Sequence, residues 1–376
     1  MINLLKQIYM NFIKIYSKRI SKKRTLEKVV YLMSFPDNND LLIEQLAKKY
    51  SVVVYYTDSR NINHSLLNEL GIESYSIKSF SGLMRAVQDV TRSKVTICDN
   101  YFPFLGAIKK EDTRFIVQVW HATGAIKCFG LEDRQLVNRS KEDLQRFLDV
   151  YDAFDYYVVA SKAMADVFKR SYGAHEEQML YLGFPRTDAL FKEIATKKDT
   201  SKKTILYLPT YREGQTELPP LDIERMRIAL KNEYQLIVKL HPHVSKLVVN
   251  QKDDEFISWH SDKTTEKLIK EADVLITDYS SVAYDYALIH PNGKLIFYWY
   301  DQEEYNQSTG IQKDIEITLP NKICKTQDEL IFSILDNSKN ELEGFNQIWN
   351  TYNDGKSVDR VVEVVGKWMC SIDGTK

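Results

Sequence analysis

The 376-residue sequence has no glycine-rich phosphate loop: neither G-x-G-x-x-G nor G-x-x-x-x-G-K-[ST] occurs, so dinucleotide-binding and P-loop readings lose support. Metal and hydrolase signatures are missing too. No Asp-x-Asp stands at a strand end and there is no H-E-x-x-H or G-x-S-x-G, which leaves a metal-bridged diphosphate, a zinc hydrolase and a serine hydrolase without a basis. Cysteine is scarce, and Cys98, Cys128, Cys324 and Cys370 are too scattered for a zinc cluster or a CxxC redox pair; they read as free thiols. No apolar run approaches the roughly 18 residues that span a bilayer. Net charge is −1, which gives no reason to invoke nucleic acid.

What is present describes a globular protein, with 44% hydrophobic and 27% charged residues. The length suggests two domains. Charge is uneven: residues 1–30 carry Lys6, Lys14, Lys18, Arg19, Lys22, Lys23, Arg24 and Lys28 against Glu27 alone. Within this arm Leu4, Leu5, Ile8, Phe12, Ile13, Ile15 and Tyr16 recur at near-helical spacing, so residues 1–27 are expected to form a basic amphipathic helix suited to an anionic membrane surface. A solvated arm that caps the first domain is the plainer alternative. Lys6 and Lys14 interrupt any signal-peptide core, and no small-residue cleavage site follows.

After the arm, apolar β-rich runs alternate with helical patterns: KVVYLMSF from Lys28, SVVVYYTD from Ser51, KVTICDNYF from Lys94, FIVQVWHA from Phe115 and YYVVAS from Tyr156. Continuously apolar strands separated by helices imply a parallel sheet covered on both faces. The lysine-rich stretch 194–204 reads as a linker, and the alternation then restarts with TILYLPT, YQLIVKLHP, DVLITDYS and KLIFYWYD. The expected fold class is α/β, with Rossmann-like domains over 28–195 and 196–376 and C-terminal helices that cross back. Two such halves facing across a cleft constitute the GT-B architecture.

Ligands in such sheets sit beyond the carboxyl ends of strands, so the strand ends hold the candidate residues. VQVWHATGAIKCFG delivers His121 into a turn with Gly124 and Lys127; a histidine there can exchange a proton with a hydroxyl, or simply bond the turn backbone. LYLPTYREG leads through Thr210 to Arg212, whose guanidinium suits a diphosphate. In LIVKLHPH, His241 ends a strand, and Lys239 points to the same side if the strand is regular. LITDYSSVAYDYALIH brings Asp278, Ser280 and Ser281 to the start of a helix, where they can cap it or meet an anion. Four strand ends of this kind together favour the anion site.

At these residues the sequence resembles the CDP-glycerol glycerophosphotransferases of bacterial wall teichoic acid synthesis, through WHATGAIKCFG, LGFPRTD, YLPTYRE, KLHPH and ITDYSSVAYDYAL in that order. CDNYF and EEQMLYLGFPRTD, with the short chain, are more similar to the primases of that family than to its long polymerases. One departure is Ala122, where many members carry Gly after the histidine.

The resemblance implies a GT-B fold with an acceptor domain followed by a donor domain. It implies transfer of one glycerol phosphate from CDP-glycerol to an undecaprenyl-diphosphate-linked ManNAc-GlcNAc disaccharide, with CMP released. It makes His121 and His241 catalytic, Arg212, Asp278, Ser280 and Ser281 donor-binding, and Arg186 a further motif position; the strand ends themselves add Thr210 and Lys239 to the donor-binding set and Gly124 and Lys127 as further site candidates. No cofactor or metal site is implied, and a Mg2+ requirement is left open. Peripheral attachment to the cytoplasmic face of the membrane follows, with other teichoic acid enzymes as prospective partners. A polymerase or ribitol-phosphate transferase of the same family, a nucleotide-sugar glycosyltransferase on the same fold and a catalytically inert membrane module are the competing readings.

Overall fold

The computed structural model describes all residues except 1, 36–38, 59–61, 193–201, 213, 337–341 and 371–376, so the expected linker at 194–204 lies largely outside the described residues. The chain forms two compact units. One comprises Met1–His121, Phe129–Ala189 and Tyr352–Lys376; the other comprises Ala122–Cys128 and Leu190–Thr351. Residues 122–128, expected in the first domain, therefore group with the second.

In the first unit seven strands run parallel: β1 (Leu26–Met33), β2 (Ser51–Tyr56), β3 (Glu73–Ser76), β4 (Ser93–Cys98), β5 (Phe115–Gln118), β6 (Tyr156–Val159) and β7 (Met179–Tyr181), in the order β3-β2-β1-β4-β5-β6-β7. β1 shows why the apolar runs are unbroken. Val29 to Met33 are all buried, because helices cover both faces of the sheet. Strand order reverses between β1 and β4, which makes their carboxyl ends the switch point of the sheet. Helix ends are fixed locally, as where Ser161 Oγ accepts from Met164 N at 3.1 Å and Gly173, at φ 67°, closes the helix Lys162–Tyr172.

The last helix, Ser357–Cys370, belongs to this first unit. Val358, Val361, Val362, Val365 and Met369 form a stripe that packs on Val29, Tyr31, Met33, Leu42, Leu46, Val95 and Ile97. Each fully buried aliphatic side chain contributes about 1.5–3 kcal/mol, so this stripe is a main part of the core. LGFPRTD is its socket. The Asp188 carboxylate accepts from Ser357 N at 3.1 Å and Val358 N at 2.8 Å, and Phe184 N donates to Asn353 at 2.8 Å. Gly183 is required there, since it has φ 76° and a Cβ would stand 2.1 Å from the Tyr352 carbonyl oxygen.

The N-terminal helix, Ile2–Ile20, packs through Met10, Ile13, Ser17 and Ile20, and Lys6 reaches Asp143 at 2.8 Å. Leu4, Leu5, Ile8, Phe12 and Ile15 on its other side stay 46–65% exposed, beside exposed Lys14, Lys18 and Arg19. Among the described residues no helix is long and apolar enough to cross a membrane.

In the second unit β8 (Lys203–Leu208), β9 (Tyr234–Val238), β10 (Ile257–Ser258), β11 (Val274–Thr277) and β12 (Lys294–Phe297) form a parallel sheet ordered β10-β9-β8-β11-β12. Here the order reverses between β8 and β11.

Candidate functional site

The carboxyl ends of β9, β8 and β11 lie side by side, so three of the four sequence motifs meet at one edge of the second sheet. Asp278, fully buried directly after β11, organises that edge. Its carboxylate accepts from Thr210 N at 2.8 Å, Thr210 Oγ1 at 2.5 Å, Tyr279 N at 2.7 Å and the Arg212 guanidinium at 2.6 Å. The residue thus ties the loop after β8 to the loop after β11 across the switch point.

Arg212 is braced rather than open. Two of its N–H groups bond Asp301, at 3.0 Å each, one bonds Asp278 and one the Thr210 carbonyl, so four of five donors are engaged. Tyr279, Tyr300 and Tyr305 surround the guanidinium at 5.1–5.4 Å from their ring centres. Burial alone would lower its pKa; the Asp278 carboxylate, with Tyr300 and Asp301, more than reverses this and leaves it raised. A phosphate at Arg212 would compete with two carboxylates.

His241 is exposed, with its ring 5.5 Å from that of Tyr211. Lys239 points elsewhere: it donates to the carbonyls of Ser261 at 3.0 Å and Lys263 at 2.9 Å. β9 ends at Val238, so the strand alternation that placed Lys239 beside His241 no longer holds at either residue. Ser281 occupies the N-cap position of the helix Val282–Ile289 without a side-chain cap bond, and Ser280 Oγ accepts from Val282 N at 3.3 Å. The plain capping reading thus fits Ser280 and not Ser281.

Residues 122–128 are built into this unit. Thr123 Oγ1 donates to Asp285 of the same helix, Gln312 N donates to the Ile126 carbonyl at 2.8 Å, and Lys127 bridges Ile311. Gly124 is required by close approach: a Cβ would stand 2.6 Å from the Tyr284 ring. Lys127 keeps exposed surface, while the packing around its ammonium lowers its pKa and the Asp278 carboxylate opposes that.

In the first unit His121 follows β5. Trp120 before it sits at φ 63°, with its N–H donating to Gln118 Oε1 at 2.9 Å, a left-handed turn that a tryptophan adopts only when held. The His121 Nδ1 lies 2.9 Å from the Asp99 carbonyl oxygen, and Phe35 stacks on the imidazole at 4.1 Å and 13°. A carbonyl can only accept, so Nδ1 carries the proton and the basic lone pair of the neutral ring is on Nε2. Arg186 lies in the turn Pro185–Thr187, next to the socket for the last helix.

The second sheet edge therefore gathers Thr210, Arg212, His241, Asp278, Ser280 and Ser281, with Gly124 and Lys127 in the same unit; His121 and Arg186 belong to the other. Sequence reasoning missed Asp301, the tyrosines around Arg212, and Asp99. An acidic residue at the close of KLIFYWYD was the available signal for Asp301.

Residues 14–367 match the family model described as CDP-Glycerol:Poly(glycerophosphate) glycerophosphotransferase. The chain is 33% identical over 377 residues to the teichoic acid glycerol-phosphate primase of Bacillus subtilis (strain 168), covering 96% of this chain and 98% of that protein. It is 31% identical to the protein of the same name from Staphylococcus aureus (strain NCTC 8325 / PS 47), over 97% of this chain and 99% of that one. Among solved structures, the wall teichoic acid polymerase TagF superposes with a TM-score of 0.73 at 17% identity, over 97% of this chain and 96% of that chain, which speaks to the fold alone.

Proposed function

Since the chain belongs to the CDP-glycerol:poly(glycerophosphate) glycerophosphotransferase family, we propose that it is a teichoic acid glycerol-phosphate primase. Identity that extends over nearly the whole length of both chains to proteins of that name carries the reading. In it, a hydroxyl of an undecaprenyl-diphosphate-linked disaccharide attacks the glycerol-bearing phosphorus of CDP-glycerol. One oxygen–phosphorus bond forms, the bond to CMP breaks, and His121 Nε2 takes the hydroxyl proton.

His241, Thr210, Ser280, Ser281 and Lys127 would hold the donor phosphates by charge and hydrogen bonds. Arg212 and Asp278 would position them from behind, since four of the five N–H groups of one and the oxygens of the other are already engaged.

Attachment to the membrane surface belongs to the same proposal, because the acceptor's polyprenyl tail stays in the bilayer. The exposed stripe Leu4, Leu5, Ile8, Phe12 and Ile15, bordered by lysines and Arg19, supports it. Nucleotide-activated donors place the reaction on the cytoplasmic face.

The deciding experiment incubates the purified protein with CDP-glycerol and a short-chain analogue of the lipid-linked disaccharide, with and without a Mg2+ chelator, and reads the product by mass spectrometry. A gain of one glycerol phosphate, abolished by His121→Ala, is expected. A ladder of additions would make the protein a polymerase; product from CDP-ribitol or a nucleotide sugar alone would overturn the donor.

A further inference from the structure

We propose that Asp99 is a positioning residue for His121: its carboxylate holds the Ser34–Phe35 backbone so that the Phe35 ring lies against the imidazole, while its own carbonyl holds Nδ1. The inference rests on the role of His121 as the base.

Asp99 follows β4 directly and is fully buried at the switch point of the first sheet. Its carboxylate crosses to the end of β1, where it accepts from Ser34 N at 2.8 and 2.9 Å and from Phe35 N at 2.9 Å. Two of the contacts that set the histidine, beside its packing on Trp120, therefore depend on one residue. Phe35 stacks flat on the ring, and the Asp99 carbonyl oxygen fixes the tautomer.

A carboxylate is an expensive choice for this task. Burial pushes the Asp99 carboxyl up to about 7, against the pull of the Phe35 and Ser34 N–H groups, whereas a neutral acceptor would carry a smaller desolvation cost. Its two oxygens accept three N–H contacts at 2.8–2.9 Å from consecutive backbone positions, and a group that must hold a base within a fraction of an ångström gains from that stiffness.

The second unit repeats the arrangement. Asp278, directly after β11, accepts from Thr210 N beyond β8, again across the switch point. The two aspartates hold matching places in their sheets, one serving His121 and the other the proposed donor edge.

The test compares wild type with Asp99→Asn and Phe35→Leu, reading kcat and KM for CDP-glycerol together with the imidazole 15N resonances of His121, assigned through His121→Gln. In Asp99→Asn one amide N–H group faces the Ser34 N–H, which pushes Phe35 off the ring. A 10- to 100-fold fall in kcat is expected with KM within twofold, and the Nδ1–H pattern of the wild type should become a tautomer average. Phe35→Leu should lower kcat 3- to 10-fold and keep the tautomer.

Wild-type kcat and unchanged His121 resonances in Asp99→Asn would overturn the proposal, as would a loss confined to KM. If Asp99→Asn fails to fold, Phe35→Leu decides: unchanged kcat there refutes the role. Should the wild type transfer nothing from CDP-glycerol, the functional reading fails, while the resonances still judge the positioning.

Discussion

Arg212→Lys separates a brace from a ligand. Lysine keeps the charge but cannot bridge Asp278 and Asp301 at once or lie flat among three tyrosines. The side chains involved are 20%, 1% and 15% exposed, so the site is only partly shielded from solvent. Removing one partner of a fully buried pair costs about 3–5 kcal/mol, and the residual exposure with the retained charge brings the expected loss to about 2–3 kcal/mol. For a unit of this size that is a fall in Tm of about 5–10 °C.

Hydrogen exchange should localise the weakening to the loops after β8 and β11, with the first unit unchanged. Asp301→Asn in the Arg212→Lys background should then add less than it does alone, because the two share one interaction. The reasoning is refuted if Arg212→Lys melts with the wild type while the donor KM rises tenfold or more. The guanidinium would then be a phosphate ligand after all, and its carboxylate contacts incidental.

Two further outcomes follow. Replacing Leu5, Ile8 and Phe12 by Asp should abolish co-sedimentation with vesicles rich in anionic phospholipid, leaving transfer to a detergent-soluble acceptor intact; retained sedimentation would remove the N-terminal helix from membrane binding. The folded-state pKa of Asp99, raised to about 7, means the native state holds this proton more tightly than the unfolded chain. Its contribution is complete below about pH 4 and is lost as pH rises towards 7, by at most about 4 kcal/mol. Asp99→Asn should therefore gain in Tm on the wild type between pH 5 and pH 8, and parallel curves would contradict the assignment.

Much of the fold is legible because buried parallel strands write themselves as continuous apolar runs; VVYLM and VVVYY need no context to be recognised. The strand-end residues are legible for the same reason, since a polar cluster after such a run has few places to go. Pairings across the sheet are not. Asp301 meets Arg212 from 89 positions away, and nothing around either residue announces the other. Asp99 stands in plain view within CDNYF, yet its partners lie at Ser34 and Phe35, reached only once β1 and β4 are neighbours. LGFPRTD looks like a site motif, yet its Asp188 carboxylate accepts from the first N–H groups of the last helix and its Phe184 N–H bonds Asn353 just before that helix.

That helix also bears on how the protein is made. The second unit is almost entirely encoded between Leu190 and Thr351, so it can fold while synthesis continues. The first unit, though begun earlier, must keep Val29, Tyr31, Leu42 and Ile97 uncovered until Ser357–Cys370 has emerged from the ribosome. The half that starts first is completed last, and truncation between Thr351 and Val358 should leave a finished second unit tethered to an open, aggregation-prone first one.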